Sequence, residues 1–114
     1  MIDTRTPDRI TSIRHLNDRL RSRGEGGRTV LSRGIAALGA DELVVVLRAV
    51  AAFASFTPAN DPHGEHDCAI LEAAAHRILW KIDYYDPDLR FLSPDPADPE
   101  VTRRVLTIML AEEY

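Results

Sequence analysis

Residues 61–67 (DPHGEHD) set His63, Glu65, His66 and Asp67 within five consecutive positions, with Asp61 just before them. Imidazole nitrogens and carboxylate oxygens together suit zinc, manganese or iron. The loop is therefore a candidate divalent-metal site, and the centre of a small metal-dependent hydrolase if the metal is catalytic. The spacing is not HExxH, in which one helix face presents both histidines. Neighbouring Glu65 and His66 reach one ion only if the backbone bends sharply, which Gly64 permits. In the competing reading Asp61 and Asp67 fold onto nearby backbone N–H groups as turn caps, leaving both imidazoles solvated and the chain without a cofactor. Asp83 would add a carboxylate if its strand points toward the same loop.

A second cluster lies at Asp83, Asp86 and Asp88 around Tyr84 and Tyr85. Paired carboxylates do acid–base work when burial drives their pKa values apart, but Asp86 and Asp88 flank Pro87 as an exposed turn would. As a surface the cluster is more telling, because residues 61–100 carry ten acids against three bases. These five residues form a candidate binding site for a basic protein partner. No Ser/His/Asp signature stands out, and Gly24-Glu25-Gly26-Gly27 lacks the lysine and hydroxyl of a phosphate-binding loop. The lone Cys68 reads as a small buried hydrophobe, and Trp80 as core.

A chain of 114 residues, 45% hydrophobic and 28% charged, forms one domain around one core. Residues 1–6 read as a flexible N-terminus. With one cysteine there is no internal disulfide, which suits a reducing cytoplasm. No apolar run follows the arginine-bearing N-terminus, and the apolar stretch over residues 43–56 carries Arg48, so neither a signal peptide nor a membrane span is expected. The net charge of −4 divides unevenly, +4 over residues 1–33 and −8 over the remainder. Direct nucleic-acid binding would rest on the arginines of the first helix, Arg14, Arg19 and Arg21 among them, against a chain that otherwise repels phosphate.

The elements that must position these residues follow from periodicity. A first helix starts with Thr6 as N-cap and Pro7 in its first turn, buries Ile10, Ile13, Leu16 or Asn17, and Leu20, and stops at Gly24. Arginines occupy its remaining surface. Residues 28–32 read as a strand, and residues 34–39 as a linker or short second strand. A second helix over residues 41–56, apolar nearly all round, is expected to be the most buried. Ile78, Trp80, Ile82 and Tyr84 alternate with polar neighbours, the pattern of a half-buried strand. It pairs with residues 68–71 through a turn at Ala73-Ala74-Ala75, although one helix over residues 68–79 also fits. Asp98 and Pro99 open a third helix with Val101, Val105, Ile108 and Met109 inward. Glu112, Glu113 and Tyr114 then end the chain either as a solvated tail or as a docking site. The fold class is α+β, three helices on a small, mostly antiparallel sheet of three or four strands.

Several runs resemble a family of small bacterial proteins of unknown function, common on proteobacterial plasmids and integrative elements. They are Phe56-Thr57-Pro58, residues 60–67, Trp80-Lys81-Ile82-Asp83-Tyr84-Tyr85-Asp86, Ser93-Pro94-Asp95-Pro96 and residues 105–111, with Leu16-Asn17-Asp18-Arg19-Leu20-Arg21 near the start. The resemblance implies a mobile-element setting. There, small acidic proteins often bind and block host defence nucleases, their carboxylates imitating phosphates. The expected function is thus a non-enzymatic, protein-binding accessory factor with an anti-defence role.

Overall fold

The computed structural model describes residues 8–114. The expected cap at Thr6 and Pro7 and the expected flexible residues 1–6 lie outside that range. Helix α1 spans Arg9–Arg23. Asp8 caps it by accepting the Thr11 N–H at 2.8 Å, and Gly24, left-handed at φ 69°, ends it by donating to the Leu20 carbonyl. Strand β1 (Gly27–Leu31) follows. Residues 34–39, expected as linker or strand, instead contain a single helical turn, α2 (Arg33–Ala36), capped by Ser32. Helix α3 (Ala40–Ala52) ends at Phe53, short of the expected Phe56. Only Val46 and Val50 of it are buried, while Val44, Val45 and Leu47 are exposed. The expectation of an all-round buried helix fails because α3 lies in the outer layer of a two-layer fold, with protein on one side alone.

Strands β2 (Cys68–Ala73) and β3 (His76–Tyr85) form the expected antiparallel hairpin, with Trp80 opposite Ala69. Ala74 and Ala75 make the connection at φ 52° and 63°. These are left-handed values that a two-residue hairpin turn requires and that alanine resists. The alternation along β3 holds: Ile78, Trp80 and Ile82 are buried. Trp80 meets the rings of Phe53 and Phe56 edge-on at 6.0 and 6.1 Å.

The expected third helix is a strand. Asp98 caps and Pro99 opens only one tight turn (Pro99–Val101), after which β4 (Arg103–Leu110) runs through the middle of the sheet. The strand order is β1-β4-β3-β2, with β1 parallel to β4 and the other pairs antiparallel. Thr102, Val105, Thr107 and Ile108 are β-branched and favour this conformation. Its inward face is Arg104, Leu106 and Ile108, so a buried cation occupies the first position of the stripe and hides its period of two. The fold class is α+β, three helices and a four-stranded mixed sheet, with α2 as the third helix.

Leu20, Ile35, Val46 and Val50 from the three helices pack on Ile78, Trp80, Ile82, Leu106 and Ile108. On the opposite sheet face Val30 and Ile70 are partly exposed, and so is Cys68, against the expectation of a buried thiol. Alternation at the edge strand turns Cys68 outward while Ala69 points in. The chain end does not hang free. The Glu113 carboxylate accepts from Ser32 Oγ (2.6 Å), Gly34 N (3.0 Å) and Leu110 N (2.8 Å). A Cβ on Gly34 would stand 2.6 Å from Glu113 Oε1, so a larger residue there would have to displace that carboxylate. No helix among the described residues is long and apolar enough to cross a membrane.

Relieving the hairpin turn should stabilise the fold. Ala75→Gly removes a left-handed alanine at an exposed position and should raise the unfolding free energy by about 1 kcal/mol, measured by chemical denaturation. Unchanged stability would mean that the turn carries no strain.

Candidate functional site

One face of α1 carries Arg14, Asn17, Asp18 and Arg21, spaced as neighbours on a helix surface, and each grips a different part of the chain. Arg14 Nε donates to the Gly64 carbonyl at 2.7 Å. Asn17, fully buried, donates through Nδ2 to the Glu65 carbonyl (3.0 Å) and to Tyr84 Oη (2.8 Å), while its Oδ1 accepts from Arg104 Nε at 2.9 Å. Reversing the amide would face its oxygen to the carbonyl and its NH2 to a guanidinium, so the chemistry fixes its orientation. Arg104 also donates to the Pro96 carbonyl, and its guanidinium lies 5.2 Å from the centre of the Tyr84 ring. Thus one amide ties α1 to the histidine loop, to β3 and to β4.

Asp18 Oδ1 lies 2.9 Å from His66 Nδ1 and accepts from Arg21 Nη2 at 3.0 Å. The His66 ring stacks on Phe56 at 3.8 Å between centroids. Its backbone N–H donates to the Asp61 carboxylate at 3.2 Å, the capping role expected of Asp61. His66 holds φ 55° and Gly64 φ 70°, so the chain does bend sharply at this point. Arg21, buried, donates to the carbonyls of Val50, Ala51 and Phe53 (3.1, 3.1 and 2.8 Å). It therefore closes the C-terminal end of α3, where a helix exposes unpaired carbonyls and partial negative charge.

Of the candidate ligands, His66 is directed at Asp18 and Asp61, His63 is exposed, and Glu65 and Asp67 are half-buried. Among the described residues no three His, Cys, Asp or Glu side chains are grouped so as to hold a metal ion. Burial raises the Glu65 pKa, with the Asp67 charge adding to it. Burial likewise raises Asp67, with Asp61 adding. The Tyr84 phenol is also pushed up by burial, so it stays protonated and can donate toward Glu65 Oε2 at 3.5 Å. A shallow depression of about 390 Å³ lies over the loop, walled by Phe56, Asp61, His63 and His66.

The second cluster divides between the two faces of β3. Tyr84 turns inward to Asn17, whereas Asp83 and Tyr85 face the opposite side and Asp83 pairs with Lys81. Asp86 is a turn cap, its Oδ1 accepting from Arg90 N (2.9 Å) and Phe91 N (3.4 Å). Asp88 is exposed. The first-helix arginines divide too: Arg14 and Arg21 bind backbone carbonyls, and Arg19 pairs with Glu25 at 3.0 Å.

A family model matches residues 31–113, from the end of β1 to the turn after β4. The chain belongs to that family, DUF3768, proteins of unknown function. No curated protein and no solved structure matches it. The DUF3768 match contains the histidine loop, the hairpin and β4. Arg14, Asn17, Asp18 and Arg21, which hold those parts together, precede it. The sequence carries one signal for them: Asn17 interrupts an otherwise apolar stripe, and a polar residue at a buried helix position implies partners. Arg104 carries no such signal.

Two outcomes follow. Asn17→Ala strips partners from a buried guanidinium, a phenol and a carbonyl, and should cost about 2–4 kcal/mol in chemical denaturation, with hydrogen exchange fastest over residues 60–67. A cost no larger than that of an exposed substitution would remove Asn17 from its central position. Because the pKa values of Glu65 and Asp67 are raised, the folded state takes up protons there; their contribution favours the fold at acid pH and is lost as pH rises through those raised values. Glu65→Gln with Asp67→Asn should raise the melting midpoint at neutral pH and flatten its fall from mildly acidic pH. An unaltered pH profile would refute this.

Proposed function

We propose that the chain is a non-enzymatic, protein-binding accessory factor of a mobile genetic element. Its partner would be a basic, nucleic-acid-binding protein of host defence, such as a nuclease. The docking surface is the turn that follows β3. One observation carries this reading: Phe91 and Leu92 are 72% and 78% exposed on a turn that is pinned in place.

The pinning is thorough. Besides the two amides held by the Asp86 carboxylate, Asp86 N donates to the Phe91 carbonyl at 2.8 Å, Ser93 N donates to the Tyr84 carbonyl at 3.0 Å, and Tyr85 bridges to Leu92. Large apolar side chains presented on an already ordered backbone bind with little ordering cost, which is how interface anchors work. Asp86 and Asp88 on the turn and Asp83 on β3 bring carboxylates to this end of the strand, and negative charge there would speed encounter with a basic partner. The setting and the kind of partner are what the family resemblance implies. The metal-hydrolase reading gains less support, since His66 and Asp61 of the loop are engaged in holding the fold.

The test is titration calorimetry against a nuclease recovered from the host by cross-linking. Phe91→Ser with Leu92→Ser should weaken binding by at least about 30-fold without moving the melting midpoint. Replacing Asp83, Asp86 and Asp88 by asparagine keeps the turn's acceptors and should abolish the salt dependence. Full affinity in the Phe91/Leu92 variant would end the proposal.

A further inference from the structure

The parallel pairing of β1 with β4 places Arg28 opposite Val105. Arg103, two residues earlier on β4, projects to the same side, the sheet face away from the helices. Both arginines are exposed. Neither forms an ion pair among the described residues, and Arg103 reaches only the neighbouring Thr102 carbonyl, at 3.4 Å. Arg28 and Arg103 sit diagonally across the β1–β4 pairing as like charges, and the Asp83 carboxylate, which shares that sheet face opposite Val105, is paired with Lys81. Asp86, on the nearby turn, is engaged by backbone amides.

Arg28 and Arg103 line a cleft of about 430 Å³ together with the apolar side chains of Leu89, Pro99 and Val105. Gly26 borders it without a side chain, at φ 84° and with no atom within 4 Å of where a Cβ would stand. Leu89 holds φ 60°, a backbone conformation that costs a non-glycine residue roughly 1–2 kcal/mol.

We propose that this cleft binds the phosphate monoester of a small organic molecule. The phosphate lies between the Arg28 and Arg103 guanidiniums, and the organic body rests on Leu89, Pro99 and Val105. Phosphate fits two guanidinium forks because it offers acceptor oxygens to both and carries enough charge to relieve their repulsion. The cleft has the size and the mixture of walls usual for small-ligand sites. Recognition rests on side chains, so the absence of a lysine-bearing glycine loop is no obstacle. The inference does not depend on the docking role proposed above, and the two are read in separate experiments.

Amide-detected NMR titration of the full chain with adenosine monophosphate, inorganic phosphate and adenosine tests it. Adenosine monophosphate should bind most tightly and adenosine least, with saturable shifts at Gly26, Gly27, Arg28 and Arg103. Arg28→Ala with Arg103→Ala should weaken adenosine monophosphate at least about tenfold with an unchanged folded spectrum. Lysine at both positions, which keeps charge but loses the fork, should give an intermediate affinity. Leu89→Gly should weaken adenosine monophosphate and spare inorganic phosphate. No saturable shifts, shifts that map to α1, binding retained in the double alanine variant, or adenosine binding as well as its monophosphate would each overturn the proposal.

Discussion

The buried amide of Asn17 is the constraint around which this molecule is organised. It has no exposure to solvent, so every polar atom on it needs a partner within the protein. Those partners come from three separate parts of the chain: the Glu65 carbonyl, the Tyr84 hydroxyl and the Arg104 guanidinium. Because they are not neighbours in sequence, α1, the histidine loop, β3 and β4 must all arrive together. A mispaired strand or a shifted helix would leave an amide, a phenol and a cation unsatisfied in a medium where each is costly.

The same helix extends this logic on either side. Arg14 holds the loop one residue before Glu65, Asp18 holds the imidazole one residue after it, and Arg21 closes the end of α3. A loop rich in metal-ligand types is thereby kept in a single bent conformation by side chains that act as backbone partners. Its histidines and carboxylates divide accordingly: His66 belongs to the clamp, and His63 does not. Phe91 and Leu92, at 72% and 78% among the most exposed apolar side chains, lie on the Asp86-capped turn at the end of β3. Rigidity at the loop and exposed apolar surface at the turn are separate properties, although both lie at the C-terminal end of β3.

The hairpin was legible because its signal is local. Ile78, Trp80 and Ile82 alternate with outward residues, and nothing buried on that face is charged. The turn was legible in position although not in chemistry, since alanine at positive φ is disfavoured. Strand β4 was not legible. Arg104 is buried where the pattern calls for an apolar residue, and Val105 and Met109 on the other face restore a helical spacing by coincidence. Helix α3 is less buried than its composition suggests for a related reason: hydrophobicity measures what a residue tolerates, and a two-layer fold offers cover on one side only.

By itself the sequence determined what depends on neighbours along the chain: the α+β class, the end of α1 at Gly24, the β2–β3 hairpin, Asp98 as a cap and Asp61 as a turn-former. Only the tertiary structure decided which polar residues are buried and with whom. It placed Arg104 and Arg21 inside, turned Tyr84 and Asp83 to opposite faces, and left Phe91 and Leu92 in solvent. The reason is physical. Helix and turn signals are energies of a few adjacent residues, whereas the sign of a buried polar group's contribution is set by partners dozens of residues away.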